Sequence, residues 1–121
     1  MHHIGVDIIE IARIQRAIER WDERFLHRVY TELELRLCRR KPSRLAGRFA
    51  GKEAVMKALG TGVRGISWRE IEILSEPSGK PLVRLYGKAQ ARADSLCLEE
   101  LAISLSDTKE YAIASVVSET K

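Results

Sequence analysis

Two cysteines, three prolines, three histidines and seven aromatic residues are few for a chain of 121, and each shortage excludes something. Cys38 and Cys97 have no CxxC spacing and no Cys/His cluster around them, which leaves neither a disulfide framework nor a structural zinc site. Both read as small buried hydrophobes within helices rather than as nucleophiles. His2, His3 and His27 show no metal-ligand spacing and no catalytic partner, so they read as strand-end or surface residues. So few aromatics offer little platform for stacking nucleic-acid bases. No apolar run approaches the ~18 residues that a membrane helix needs. Asp7 and Glu10 interrupt the one N-terminal apolar stretch that might mimic a signal peptide. Repeats, low-complexity tracts and Pro/Gly-rich linkers are also missing, and the expectation is one soluble, cytoplasmic domain over residues 1–121. A domain this small buries one modest core, which places a site on its rim or between subunits.

Basic charge is what the chain does have. Twenty-one Lys and Arg face seventeen Asp and Glu, a net charge of +4 with a pI near 9.3. Thirteen of the basic and eight of the acidic residues fall in residues 1–60, so the front half carries the basic surface. Much of it is periodic. Arg13, Arg16, Arg20, Arg24 and Arg28 recur at steps of three and four opposite Ile11, Ile14, Ile18, Trp21, Phe25 and Val29. This is an amphipathic helix over residues 11–29 with a break near Trp21 or Asp22, and its arginine face suits an acidic partner.

Elsewhere the pattern alternates between strand and helix. Ile4, Val6 and Ile8 share one side of a strand over residues 3–9, and Gly5 and Asp7 share the other. Thr31 followed by Glu34 has capping-box form and starts a short helix to about Arg40. Residues 44–59 read as the strongest helix, closed by Gly60 and Gly62, and its internal Gly47 and Gly51 imply close packing. Strands at 71–74 and 82–85 flank the turn 77–81, a helix covers 87–98, and a hairpin of 101–106 and 111–117 ends the chain. The class is α+β, with an antiparallel sheet packed against helices.

On the helix 44–59, Leu45, Ala46, Phe49, Ala50 and Ala54 form an apolar stripe, and the wheel sets Glu53 and Lys57 in its middle. Buried charges need partners. They could pair with each other, since Glu before Lys at i,i+4 is the favourable order. Alternatively the carboxylate binds a cation and the ammonium a phosphate. Asp7 could add a second carboxylate, and two carboxylates without histidine or thiolate ligands suit a hard metal such as Mg2+.

Ile4-Gly5-Val6-Asp7-Ile8-Ile9-Glu10, Gly47-Arg48-Phe49-Ala50-Gly51-Lys52-Glu53-Ala54, Lys57-Ala58 and Gly60-Thr61-Gly62 together resemble the holo-acyl-carrier-protein synthase family. Ile71-Glu72-Ile73, Gly79-Lys80-Pro81, Ser104-Leu105-Ser106 and Thr108-Lys109-Glu110-Tyr111-Ala112 extend the resemblance, in order, over nearly the whole chain. These are the small single-domain phosphopantetheinyl transferases, which move 4'-phosphopantetheine from coenzyme A to a serine of apo acyl carrier protein in support of fatty acid biosynthesis. The resemblance implies the phosphopantetheinyl transferase fold, a homotrimer with interface active sites, and acidic carrier protein and coenzyme A as partners. It implies neither nucleic acid nor membrane. It makes Asp7 and Glu53 the Mg2+ carboxylates, with Glu53 and Lys57 catalytic. Arg48, Lys52, Lys57, Gly60, Thr61, Gly62, Pro81, Asp107 and Thr108 would surround coenzyme A, and Arg13, Arg16, Arg20 and Arg24 would dock the carrier.

Asp107 departs from the family, which usually has histidine there. An aspartate would repel a phosphate that a histidine could bond, unless it reaches a metal or a cation such as Lys109. Asp107 therefore either adds a metal-shell contact or lowers activity. Two other readings remain: a catalytically weakened carrier-binding module, and a small basic RNA-binding protein.

Overall fold

The computed structural model describes residues 1–62 and 64–121. The chain opens with β1 (His2–Glu10) and continues through α1 (Ile11–Trp21), α2 (Glu23–Val29), α3 (Glu32–Cys38) and α4 (Pro42–Leu59). A 3-10 turn at Trp68–Glu70 leads into the hairpin of β2 (Ile71–Ser75) and β3 (Pro81–Leu85). Then come α5 (Gly87–Ser95), β4 (Ala102–Asp107) and β5 (Tyr111–Glu119). The class is α+β as expected. The antiparallel pairing is divided between two sheets, one ordered β1-β5-β4 and the other β2-β3.

The expected break falls at Asp22, whose φ of 43° ends α1 and starts α2 on a new axis. Thr31 and Glu34 form the full capping box on α3, each side chain bonded to the other's backbone N–H. Gly60, at φ 73°, closes α4 in the left-handed conformation that glycine adopts without a Cβ penalty. The helix expected over 87–98 stops at Ser95, which leaves Cys97 exposed in the turn beyond it and corrects its reading as a buried hydrophobe. Cys38 is buried as expected, and burial pushes its thiol up to about 11, the state of an inert thiol.

α4 lies against β1 and β5 on one side and β2 on another, so it is buried nearly all round. Two glycines permit this. A Cβ on Gly5 would drive into the Ala54 carbonyl and come within 3.0 Å of the Ala58 amide, so β1 touches the α4 backbone. A Cβ on Gly51 would stand 3.2 Å from Ile103 and 3.3 Å from Ile73. In β1 the residues facing α4 are Gly5, Asp7 and Ile9. The apolar trio Ile4, Val6 and Ile8 faces outward at 64%, 53% and 58% exposure.

Lys52 is the charge inside the core. It is fully buried, its Nζ lies 2.7 Å from the Glu34 carboxylate, and it donates to the carbonyls of Trp68 and Ile71. Those three partners account for the three N–H donors of an ammonium, so Lys52 has none left for coenzyme A and its assignment as a ligand residue is corrected. Glu34 also accepts from the Ile73 amide, and Glu72, also buried, accepts from the Thr31 and Tyr86 hydroxyls. The pair thus links α3, α4 and β2. Replacing Lys52 alone with Met strands a buried carboxylate and should cost about 3–5 kcal/mol by urea denaturation. The double substitution Lys52→Met/Glu34→Gln should recover a clear part of that loss, and an equal or larger loss would contradict this account.

Candidate active site

Asp7 and Glu53 converge because the Gly5 contact sets β1 directly on α4. Asp7 follows Gly5 by two residues and so faces the same side. Lys57, one turn beyond Glu53, donates to the Asp7 carboxylate at 3.0 Å and to the Val6 carbonyl at 2.9 Å. Of the two readings left open for Lys57, pairing with Glu53 at i,i+4 is not the one seen: its ammonium reaches across to β1. Glu53 makes no ion pair among the described residues, and it lies on the partly exposed side of α4 rather than in the middle of its buried face.

Its carboxyl is raised above the ordinary 4.5, first by burial and then by the negative charge of Asp7. Lys57 and Arg13 act in the opposite direction. Two carboxylates thus share one ammonium, which Asp7 holds, and a further cation would relieve Glu53. This donor set fits Mg2+, which takes one or two carboxylates with phosphate and water completing its shell.

The remaining candidates divide around α4. Arg48 precedes Glu53 by five residues, which puts them about 140° apart on the helix. Arg48 donates to the Ser75 hydroxyl at 2.9 Å, and its buried Nε has no partner among the described residues. It lines a small pocket of about 120 Å3 with Arg44, Gly47, Ser106 and Asp107. Pro81 pairs with Ser75 and so belongs to the Arg48 side. Asp107, at the end of β4, lines the same small pocket as Arg44 and Arg48.

Gly60, Thr61 and Gly62 follow the Lys57 end of α4. The amides of Gly60 and Thr61 already close the helix onto Lys57 and Met56 carbonyls, and the Thr61 hydroxyl bonds the Gly62 carbonyl at 3.1 Å. Thr108 Oγ1 accepts from the Glu110 and Tyr111 amides at 3.2 and 3.0 Å, so it holds the hairpin turn. Arg13 borders the carboxylates. Arg16 and Arg20 line an open depression with it, and Arg24 and Arg28 rim a second one floored by Phe25, Phe49 and Trp68. Sequence reasoning passed over this aromatic floor, in which Phe49 and Trp68 stack at 4.8 Å; Phe49 standing one turn before Glu53 was its only signal.

Residues 3–116 match the 4'-phosphopantetheinyl transferase superfamily. The chain belongs to that superfamily. Among curated relatives of this transferase, holo-[acyl-carrier-protein] synthase of Dehalococcoides mccartyi is 50% identical, with 98% of this chain and 99% of that one covered. The synthase of Herpetosiphon aurantiacus is 49% identical over 93% and 94% of the two chains. Among solved structures, the Helicobacter pylori synthase in complex with coenzyme A superposes with a TM-score of 0.88 at 38% identity, covering 96% of this chain and 99% of that one.

In the metal-free transferase, Glu53 takes up a proton more readily than it would in the unfolded chain. Its ionisation therefore costs stability as pH rises above 4.5 through the raised folded value. Glu53→Gln should melt higher than the parent near pH 7 in chelator, by less than about 1 kcal/mol given its partial exposure. The advantage should vanish below about pH 4.5, where the parent carries the proton in both states. Melts of both proteins across that range check this, and a Gln advantage over the parent that is no larger near pH 7 than near pH 4 would contradict it.

Proposed function

We propose that this chain moves 4'-phosphopantetheine from coenzyme A to a serine hydroxyl of an apo acyl carrier protein, releasing holo carrier and adenosine 3',5'-bisphosphate. The observation that carries the proposal is the convergence of Asp7, Glu53 and Lys57 in a chain whose family match spans nearly its full length. In the reaction a bond forms between the serine oxygen and the β-phosphorus of coenzyme A, and the bond from that phosphorus to the phosphoadenosine group breaks. Mg2+, held by Asp7 and Glu53, would supply positive charge against the pyrophosphate. Lys57 would place its ammonium on a phosphate oxygen, exchanging part of its Asp7 contact for it. A Glu53 carboxylate oxygen takes the serine proton, directly or through a water it orients.

Arg48 and Glu53 stand about 140° apart on α4, so the two halves of this site do not face one another within a single chain. An assembly solves this. Ile4, Val6, Ile8 and Val117 are exposed apolar residues on one face of the β1-β5-β4 sheet, and a face of this kind marks a protein interface. We read it as the contact of a homotrimer, in which Arg48, Pro81 and Asp107 of one subunit complete the Asp7–Glu53–Lys57 site of its neighbour. Residues 1–121 then act as one transferase domain. Arg13, Arg16, Arg20 and Arg24 would receive the acidic carrier by charge complementarity. Among the described residues no helix is long and apolar enough to cross a membrane, and two unpaired cysteines suit the reducing cytoplasm. The RNA-binding alternative is not favoured.

Intact-mass measurement of apo carrier incubated with the protein, coenzyme A and Mg2+ tests the reading. A phosphopantetheine adduct should form, disappear with chelator, and form about 100-fold more slowly or worse with Glu53→Ala. No adduct from folded protein, or a parent-like rate from Glu53→Ala, would overturn it. Asp107 places a negative charge beside Arg44 and Arg48, so Asp107→His should lower the KM for coenzyme A. An unchanged KM would remove Asp107 from the ligand surroundings.

A further inference from the structure

The break at Asp22 ought to split the arginine face. In a continuous helix Arg20 and Arg24 would be neighbours at i,i+4, but a φ of 43° at Asp22 puts them on helices with different axes. They nevertheless meet on one ring. The Arg20 guanidinium lies 4.9 Å and that of Arg24 6.0 Å from the centre of the Trp21 indole. Trp21, the last residue of α1, is 47% exposed, while Ile14, Leu26 and Val29 supply the buried residues of the two helices. It is also the common wall of the two depressions that the arginines line, of about 560 and 530 Å3.

The acids at the break do not compete for these arginines. Asp22 and Glu23 both pair with Arg40, and Glu23 also holds His27 at 2.7 Å. Glu19, which lines the first depression, makes no ion pair with Arg20 or Arg24 among the described residues. The ring is therefore the contact that α1 and α2 share on this face.

We infer that Trp21 is a positioning residue for carrier docking: its indole holds Arg20 of α1 and Arg24 of α2 in one register across the helix break, with an apolar edge between two guanidinium groups. The partner it fits is an acidic protein surface with an apolar side chain between carboxylates. Two cations held on an aromatic face lose less freedom on binding than two free side chains, so the ring adds to affinity through the arginines. The inference rests on the docking role proposed above for the arginine face.

Steady-state kinetics with a purified apo acyl carrier protein separate the two. Trp21→Ala should raise the carrier KM roughly tenfold while the KM for coenzyme A stays within about twofold. Trp21→Leu keeps apolar bulk without a π face and should behave like Trp21→Ala, whereas Trp21→Tyr should restore most of the affinity. The effect should be less than additive with Arg24→Ala. Parent-like carrier KM for Trp21→Leu, or full additivity with Arg24→Ala, would overturn the inference. If Arg20→Ala and Arg24→Ala also leave the carrier KM unchanged, the docking face itself is wrong, which is a distinct failure.

Discussion

Everything in the site depends on how closely β1 approaches α4. At Gly5 the strand backbone meets the Ala54 carbonyl with no room for a side chain, and Asp7, one residue pair further on, is thereby brought to Lys57 and into the field of Glu53. A strand held at the ~10 Å spacing usual for packed layers would leave these groups apart. The contact also explains the charge balance. It brings two carboxylates together against a single ammonium paired to Asp7, which helps to raise the carboxyl of Glu53.

The buried Lys52–Glu34 pair is a second constraint of a different kind. It lies one residue from Glu53 yet points into the core, where it fixes the far side of α4 to Trp68 and Ile71. Adjacent residues of one motif thus differ in their place, Lys52 holding the helix from inside and Glu53 standing at the site proposed for the chemistry. Trp68, whose carbonyl Lys52 binds, also stacks on Phe49 at the floor of the aromatic depression, so the internal ion pair and the outer face are mechanically continuous.

Local signals were legible and long-range ones were not. The Thr31–Glu34 capping box, the glycine stop at Gly60 and the break at Asp22 are short-range chemistry, and the sequence pattern located each of them. The helical wheel failed at α4 because it assumes one buried face, whereas this helix is enclosed on most sides. It therefore set Glu53 and Lys57 too deep and missed that Lys52 is the buried charge, whose partner stands on α3 and leaves no mark in spacing. Period-two alternation in β1 likewise separates Ile4, Val6 and Ile8 from Gly5 and Asp7 without saying which side meets the core. The side with the smallest residue does, and the apolar side is left exposed. The convergence of Asp7 with Glu53 was reached through family resemblance rather than periodicity, because forty-odd residues separate them in the chain.

The Gly5 contact assembles the site as well as the fold. Turnover of Gly5→Ala, measured well below its melting temperature with circular dichroism verifying that it is folded, tests this most directly. Displacing β1 by even about 1 Å moves Asp7 away from Lys57, and turnover should fall by about 100-fold. Parent-like turnover from a folded Gly5→Ala protein would contradict the account.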